Sequence, residues 1–203
     1  MKLPPLGPWH WLVFVAVASL FFAWGAWLVR AAQPAAPLPW LAEWQTEVLA
    51  PLADERLRLA ELGAQVGGEL WLQPRPDGAR LLYRGDWRTD GETWRLEAEI
   101  ALTEAERESL MAAAGLGGDD AEQPLAAALL AQLGHHGIIS LTLEPVADVP
   151  VERVGASLGQ PRLRLQLAEG EAWVYPDLGL TAHAAGEQLR LLQVVPRRAL
   201  RAR

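Results

Sequence analysis

The 203-residue chain contains no cysteine. That excludes a disulfide framework, a thiolate metal site, a cysteine nucleophile and a lipid-modified cysteine. Lysine is almost missing, with Lys2 the only one, and all three phenylalanines (Phe14, Phe21, Phe22) sit in one short stretch near the start. Positive charge is in short supply: 18 basic residues against 25 acidic give a formal charge of −7, which argues against wholesale nucleic-acid binding. What is abundant is apolar. At 51% hydrophobic and 21% charged, the chain has the composition of a globular protein, not of a disordered one.

Charge is unevenly distributed. Every acidic residue lies between Glu43 and Glu187. Arg197, Arg198, Arg201 and Arg203 crowd the C-terminus, and Lys2 and Arg30 bracket the first apolar run. Between residues 31 and 196 twelve arginines face 25 acids, a net of −13. Such a body is expected to be well solvated, and the arginine-rich tail (197–203) is expected to be a solvated terminus.

Trp11 to Val29 is 19 residues without a charge, ten of them Leu, Val or Phe. As a helix it would span roughly 28 Å, close to the hydrocarbon thickness of a bilayer. Trp9, Trp11, Trp24 and Trp27 fall towards its two ends, where indole prefers the membrane interface. A secretory signal has a shorter apolar core followed by a small-residue cleavage site, so the run predicts an uncleaved transmembrane helix over 11–29. Lys2 and the free amine precede it, while only Arg30 follows before Arg56. The positive-inside rule then predicts a cytoplasmic tail (1–10) and a body outside, periplasmic if the membrane is a bacterial inner membrane.

Residues 30–66 read as a proline-spaced linker (Ala31 to Pro39) and a juxtamembrane helix from Trp40 to Leu62, broken or kinked at Pro51 into two shorter helices. Residues 67–196 read as the body, either as one unit or divided into 67–135 and 136–196. Three antiparallel strands are expected over Gly67 to Ala101, turning at Pro76-Asp77-Gly78 and Asp90-Gly91. In the third, Trp94, Leu96, Ala98 and Ile100 share one face. Thr103 to Glu106 is a capping box opening a helix, and Pro124 suits the first turn of a second one that ends at Gly134. A strand follows at Ile138 to Glu144, with Ile139, Leu141 and Leu143 on one face, then a helix from Val149 capped by Asp148. The remainder reads as a four-stranded meander from Arg162 to Val195. The fold class is α+β: one N-terminal transmembrane helix, then an antiparallel sheet with helices packed on it.

Two likenesses arise from particular residues. From Val151 a short helix leads into Leu158-Gly159-Gln160-Pro161, a strand, Trp173-Val174-Tyr175 and a further strand. This resembles the BamE/SmpA type of small envelope domain, in which a helix ends in a Leu-Gly-x-Pro turn and an aromatic strand follows. The resemblance covers about 45 residues. It implies a non-catalytic assembly factor of the bacterial envelope. The chain departs from that family in lacking the cysteine through which those lipoproteins are anchored. Separately, the order strand, helix, helix, strand from residue 93 is similar to that of a POTRA domain, as found in single-pass division and secretion proteins.

Chemistry-bearing motifs are few. Gly155-Ala156-Ser157-Leu158-Gly159 spells G-x-S-x-G, with Asp177 and His183 following in hydrolase order. The motif needs a strand before it and a helix after; here the order is reversed. His135-His136 are adjacent, which suits a single metal poorly on helix or strand. Asp119-Asp120, the Glu169/Glu171 pair and the glycines of 115–118 lack the ligand spacing or the lysine that calcium or phosphate loops require. No catalytic residue, cofactor or metal is therefore assigned. The candidate interaction residues are aromatic: Trp40, Trp44, Trp71, Trp87, Trp173 and Tyr175, with Trp94 assigned to the core. The expected function is that of a single-pass inner-membrane protein whose body binds another envelope protein. Carriage of an apolar ligand is the alternative, followed by a serine hydrolase built on Ser157. The expected partners are the bilayer, through 11–29, and an envelope or inner-membrane protein, with no nucleic acid.

Overall fold

The computed structural model describes residues 8–31 and 35–201, with side chains from 11 to 26 and from 35 to 200. The expected tail at 1–10 (but for the backbone of 8–10), linker residues 32–34 and the last two residues lie outside the described parts. Two compact units result, Met1–Ala35 and Ala36–Arg203.

The first unit contributes α1 (Pro8–Ala31), 24 residues long. Its side chains from Trp11 to Ala26 are all exposed, Phe14 and Phe22 most of all. Among the described residues no helix is long and apolar enough to cross a membrane. The described side chains of α1 cover 16 residues, roughly 24 Å of helix, short of the about 30 Å of a hydrocarbon core. Trp27 to Val29, which complete the charge-free run, lie outside them.

In the second unit, α2 (Pro39–Trp44) passes through a π-helical turn, Gln45–Leu49, into α3 (Ala50–Ala53). Two helical stretches result, as expected, but Pro51 marks a π-helical irregularity and not the break between them. The widened turn, in which the Ala50 N–H reaches back to Gln45 C=O, relieves the clash of the proline ring with the preceding turn. The break comes later, at residues 54–58, where Glu55 takes a left-handed φ of 61°. Next comes α4 (Leu59–Gln65), where the Glu61 carboxylate accepts the Arg58 N–H at 2.8 Å.

Strands β1 (Glu69–Gln73), β2 (Arg80–Thr89) and β3 (Glu92–Ile100) form the expected antiparallel trio. Thr89 pairs with Glu92, and Asp90 (φ 51°) and Gly91 (φ 79°) both turn left-handed between them. That is the two-residue turn whose twist matches its strands. The capping box opens α5 (Glu104–Ala114): the Glu106 N–H donates to the Thr103 hydroxyl at 3.3 Å, and the Thr103 N–H donates to the Glu106 carboxylate at 2.8 Å.

Pro124 starts no helix. It lies in β4 (Gln123–Pro124), paired with the outer edge of β1, where its missing N–H is harmless because it ends the sheet. The helix is shorter, α6 (Ala128–Leu133), and β5 (Ile138–Pro145) follows. An irregularity at Glu99/Ile100 shifts the β3–β5 register, so Ile138 is buried and Ile139 only half so. Asp148 caps nothing: α7 (Glu152–Leu158) begins three residues beyond Val149, after Pro150 has bridged to Gln188. The meander is present as β6 (Leu163–Leu167), β7 (Gly170–Tyr175), β8 (Leu180–Ala185) and β9 (Gln188–Val194), and α8 (Arg197–Arg201) closes the described chain.

All nine strands make one antiparallel sheet, in the order β4-β1-β2-β3-β5-β9-β8-β7-β6. Because β5 pairs with both β3 and β9, the sheet runs on without interruption across residues 135 and 136. The helices α2, α3, α4 and α7 bury one face of it, and Leu41, Leu52, Leu62, Leu96, Leu143 and Leu192 are among its fully enclosed side chains. Among the described residues no charged or polar residue is buried, as the cost of desolvating such groups requires. The α+β class read from the sequence is the architecture observed.

Candidate functional site

The six candidate aromatics divide by face. Trp40 and Trp44, one turn apart on α2, point inward and are buried. They meet Trp87 and Trp94, which sit directly opposite each other on β2 and β3 beside the tight turn. Trp40 lies edge-on to Trp44, Trp87 and Trp94, with ring centroids 5.5, 4.8 and 5.0 Å apart, and Trp44 stacks on Trp87 at 4.0 Å. Edge and offset arrangements of this kind are the favourable ones for indole quadrupoles. Four tryptophans thus wedge the start of the body against the end of a hairpin. The indole N–H groups of Trp40 and Trp94 are buried with no acceptor among the described residues.

Trp173 and Tyr175, on β7, are also buried. The Trp173 ring lies against Gly155 of α7, its Nε1–H donates to Glu171 at 3.2 Å, and the Arg164 guanidinium covers its ring at 4.1 Å. The Tyr175 hydroxyl donates to Gly159 C=O at 3.1 Å, and burial pushes its pKa up to about 12. The helix-ending glycine and the aromatic strand therefore do contact one another. Their burial makes these four aromatics packing groups; only Trp71 and Trp87 keep part of their surface in water.

The sheet face away from these helices has two halves. Across β1, β2, β3 and β5 it is a ladder of opposite charges. Arg84 pairs with Glu97 at 2.7 Å and with Glu122 at 2.5 Å, Arg80 with Glu99 at 2.5 Å, and Arg95 with Glu144 at 3.6 Å. The carboxylate of Glu122 holds the Arg84 pKa up, and Arg84 in turn holds that of Glu122 down. Trp71 lies at the rim of this ladder, 5.5 Å from the Arg84 guanidinium. A shallow groove of ≈ 480 Å³ runs between Trp71, Arg84, Arg95, Thr142 and Glu144. Arg84, Glu97, Arg95 and Glu144 in its wall are paired with one another or with Glu122.

The other half, across β9, β8, β7 and β6, is richer in apolar side chains, with Thr181 and Gln193 the polar residues between them. Leu191, Ala172, Val174 and the leucines of β6 lie there, with His183 among them. Burial by these neighbours lowers the His183 pKa. The exposed leucines of β6 had no sequence signal of their own. Alternation in Leu163-Arg164-Leu165-Gln166-Leu167 reads equally well as a strand with its leucines in the core. Only the position of β6 at the end of the sheet leaves Leu163, Leu165 and Leu167 at 49, 42 and 43% exposure.

The hydrolase constellation does not assemble. The Ser157 hydroxyl receives the Leu38 N–H at 2.7 Å and donates to Arg153 C=O at 2.7 Å, holding the entry strap to α7. Arg153 adds to this strap through Ala36 C=O and an ion pair with Glu92. His183 neighbours Ala182, the residue opposite Trp173, and so faces away from α7. Asp177 sits in the turn after β7, where its carbonyl accepts from Arg197. His136 Nδ1 lies 3.0 Å from Ala101 C=O and its Nε2 3.6 Å from Glu106. Among the described residues no cluster of three or more His, Asp or Glu is arranged to hold a metal. Asp120 accepts the Gly117 N–H at 2.7 Å, closing a turn.

Comparison with known proteins gives no matching family model, curated relative or solved structure.

Proposed function

We propose that this chain is a single-pass protein of the bacterial inner membrane, with its N-terminus in the cytoplasm and its body in the periplasm. The body acts there as a non-catalytic protein-binding or accessory subunit of an envelope assembly. The observation that carries the anchor is α1: 24 helical residues, a charge-free run from Trp11 to Val29, and apolar side chains exposed all round from Trp11 to Trp24. A helix apolar on every side has no wet face to offer a soluble protein. Support for a binding role comes from the sheet: an uncovered face with a self-paired charged ladder, a more apolar half beside it, and a serine engaged in holding the chain together.

The experiment is a topology pair, with reporters fused after residue 35 and at the C-terminus, combined with N-terminal sequencing of the mature chain. Periplasmic signal from both fusions and an intact N-terminus are expected. Release of the chain by a high-salt wash would refute the anchor. Co-purification in mild detergent tests the second half, and a chain that always elutes without a stoichiometric companion refutes it.

A further inference from the structure

The two ends of the nine-stranded sheet are finished differently. One end is β4, two residues long, with a proline that has no N–H to offer. Such an edge is closed to further strands. The other end, β6, has five residues and no proline, and among the described residues one side of its backbone has no strand neighbour. Among the described residues of the body, the three leucines of β6 and Val146 are the exposed large apolar side chains. An apolar, unguarded edge of this kind is a template for another strand.

The sequence of β6 says which strand. Leu163-Arg164-Leu165-Gln166-Leu167 alternates apolar and polar identically in both directions. Turned antiparallel about Leu165, it sets Leu165 on Leu165, Leu163 on Leu167 and Arg164 on Gln166. No arginine then opposes an arginine. The flanks agree: basic Arg162 and Arg164 lie at the start of the strand, and acidic Glu169 and Glu171 lie at the hairpin that ends it. An antiparallel neighbour brings each basic end to an acidic end, whereas a parallel one would set like against like.

We propose that β6 pairs with β6 of a second copy of this chain, about a two-fold axis at Leu165, continuing the sheet from one body into the other. Such an isologous contact satisfies both edges at once. It also brings the leucine faces of the two strands side by side, extending the more apolar half of the open face across the axis. One short strand pair falls below the roughly 1,200 Å² of a stable specific interface. The dimer is accordingly reversible, and its population rises with concentration. The proposal involves the body only and does not depend on the membrane reading.

Absence of cysteine makes the register directly testable in the full chain, kept in mild detergent. Residues directly opposite in an antiparallel pair are about 4.5–5.5 Å apart at Cα, within disulfide reach. Under gentle oxidation Leu165→Cys should form a covalent dimer at least tenfold faster than Glu108→Cys, an exposed collision control on α5. Leu163→Cys and Leu167→Cys should each stay at the control rate alone and cross-link when mixed. Sedimentation provides an independent readout. Leu165→Lys should raise the concentration of half-dimerisation at least tenfold while the far-ultraviolet circular dichroism is unchanged. Cross-linking of Leu165→Cys no faster than the control, capture of a different protein instead of a second copy, or a monomer at every concentration overturns the proposal.

Discussion

The tryptophan cluster makes an unusual prediction about truncation. Trp94 is fully enclosed, 5.0 Å from Trp40 and directly across from Trp87, yet its N–H meets no acceptor. Replacing it with alanine removes the whole ring system and should cost about 3–5 kcal/mol. For a body of this size that is a fall in Tm of roughly 6–20 °C. Phenylalanine is a different case. Losing one ring costs about 1–2 kcal/mol in packing, but removing a buried, unpaired donor recovers about 1–3 kcal/mol. Trp94→Phe should therefore fall between about 1 kcal/mol less stable and about 2 kcal/mol more stable than the parent. Trp173 is the control, because its Nε1–H is bonded to Glu171 at 3.2 Å. Trp173→Phe loses packing and a hydrogen bond together, about 2–3 kcal/mol. The expected order of damage is Trp94→Ala, then Trp173→Phe, then Trp94→Phe. Denaturant titration of the full chain, followed by circular dichroism, measures all three. If Trp94→Phe proves more damaging than Trp173→Phe, the Trp94 N–H is satisfied and the argument fails.

Ser157→Ala leaves the Leu38 N–H without its acceptor and should cost about 1–2 kcal/mol, with faster hydrogen exchange at Leu38. A fluorophosphonate probe should label neither this variant nor the parent, and labelling of the parent would revive the hydrolase reading. Gly170 has φ +120°, and a Cβ there would lie 2.0 Å from Ala184 C=O. Gly170→Ala should thus cost about 3 kcal/mol or more, read as loss of soluble, cooperatively unfolding body. Stability should fall with acidification through two contributions, one setting in below pH 6.5 and one below pH 4.5, read as denaturation midpoint against pH. His183, held below its usual 6.5 by burial, is neutral when folded, while the unfolded chain takes up its proton. Its contribution is present above pH 6.5 and lost as the pH falls through the lowered folded value. Glu122, held below 4.5 by Arg84, follows with a contribution present above pH 4.5 and lost as the pH falls through its own lowered value. His183→Ala should erase the first contribution and leave the second.

Local chemistry carried much of the architecture. The alternation of Trp94, Leu96, Ala98 and Ile100 fixed a buried face, Asp90-Gly91 fixed a hairpin, and Thr103 with Glu106 fixed a helix start, since each signal acts over a few bonds. Pro124 misled, and Pro51 marked an irregular turn without placing the break, for one reason. A proline states only which hydrogen bond it cannot donate, and either a sheet edge or a widened helical turn meets that constraint as well as a helix start or a break does. Ile139 misled because a bulge shifts the face of every residue beyond it.

The chain's composition and spacing by themselves determined the α+β class, the antiparallel pairing of neighbouring strands and the charge-free run near the start. Tertiary structure alone decided that Trp40, Trp44 and Trp173 join Trp94 in the interior, that Ser157 faces a backbone amide and not His183, and that β6 ends the sheet. The physical reason is range. Periodicity and turn chemistry are properties of adjacent residues, whereas enclosure and edge position depend on contacts between segments far apart along the chain, such as Leu38 with Ser157 or Trp40 with Trp94.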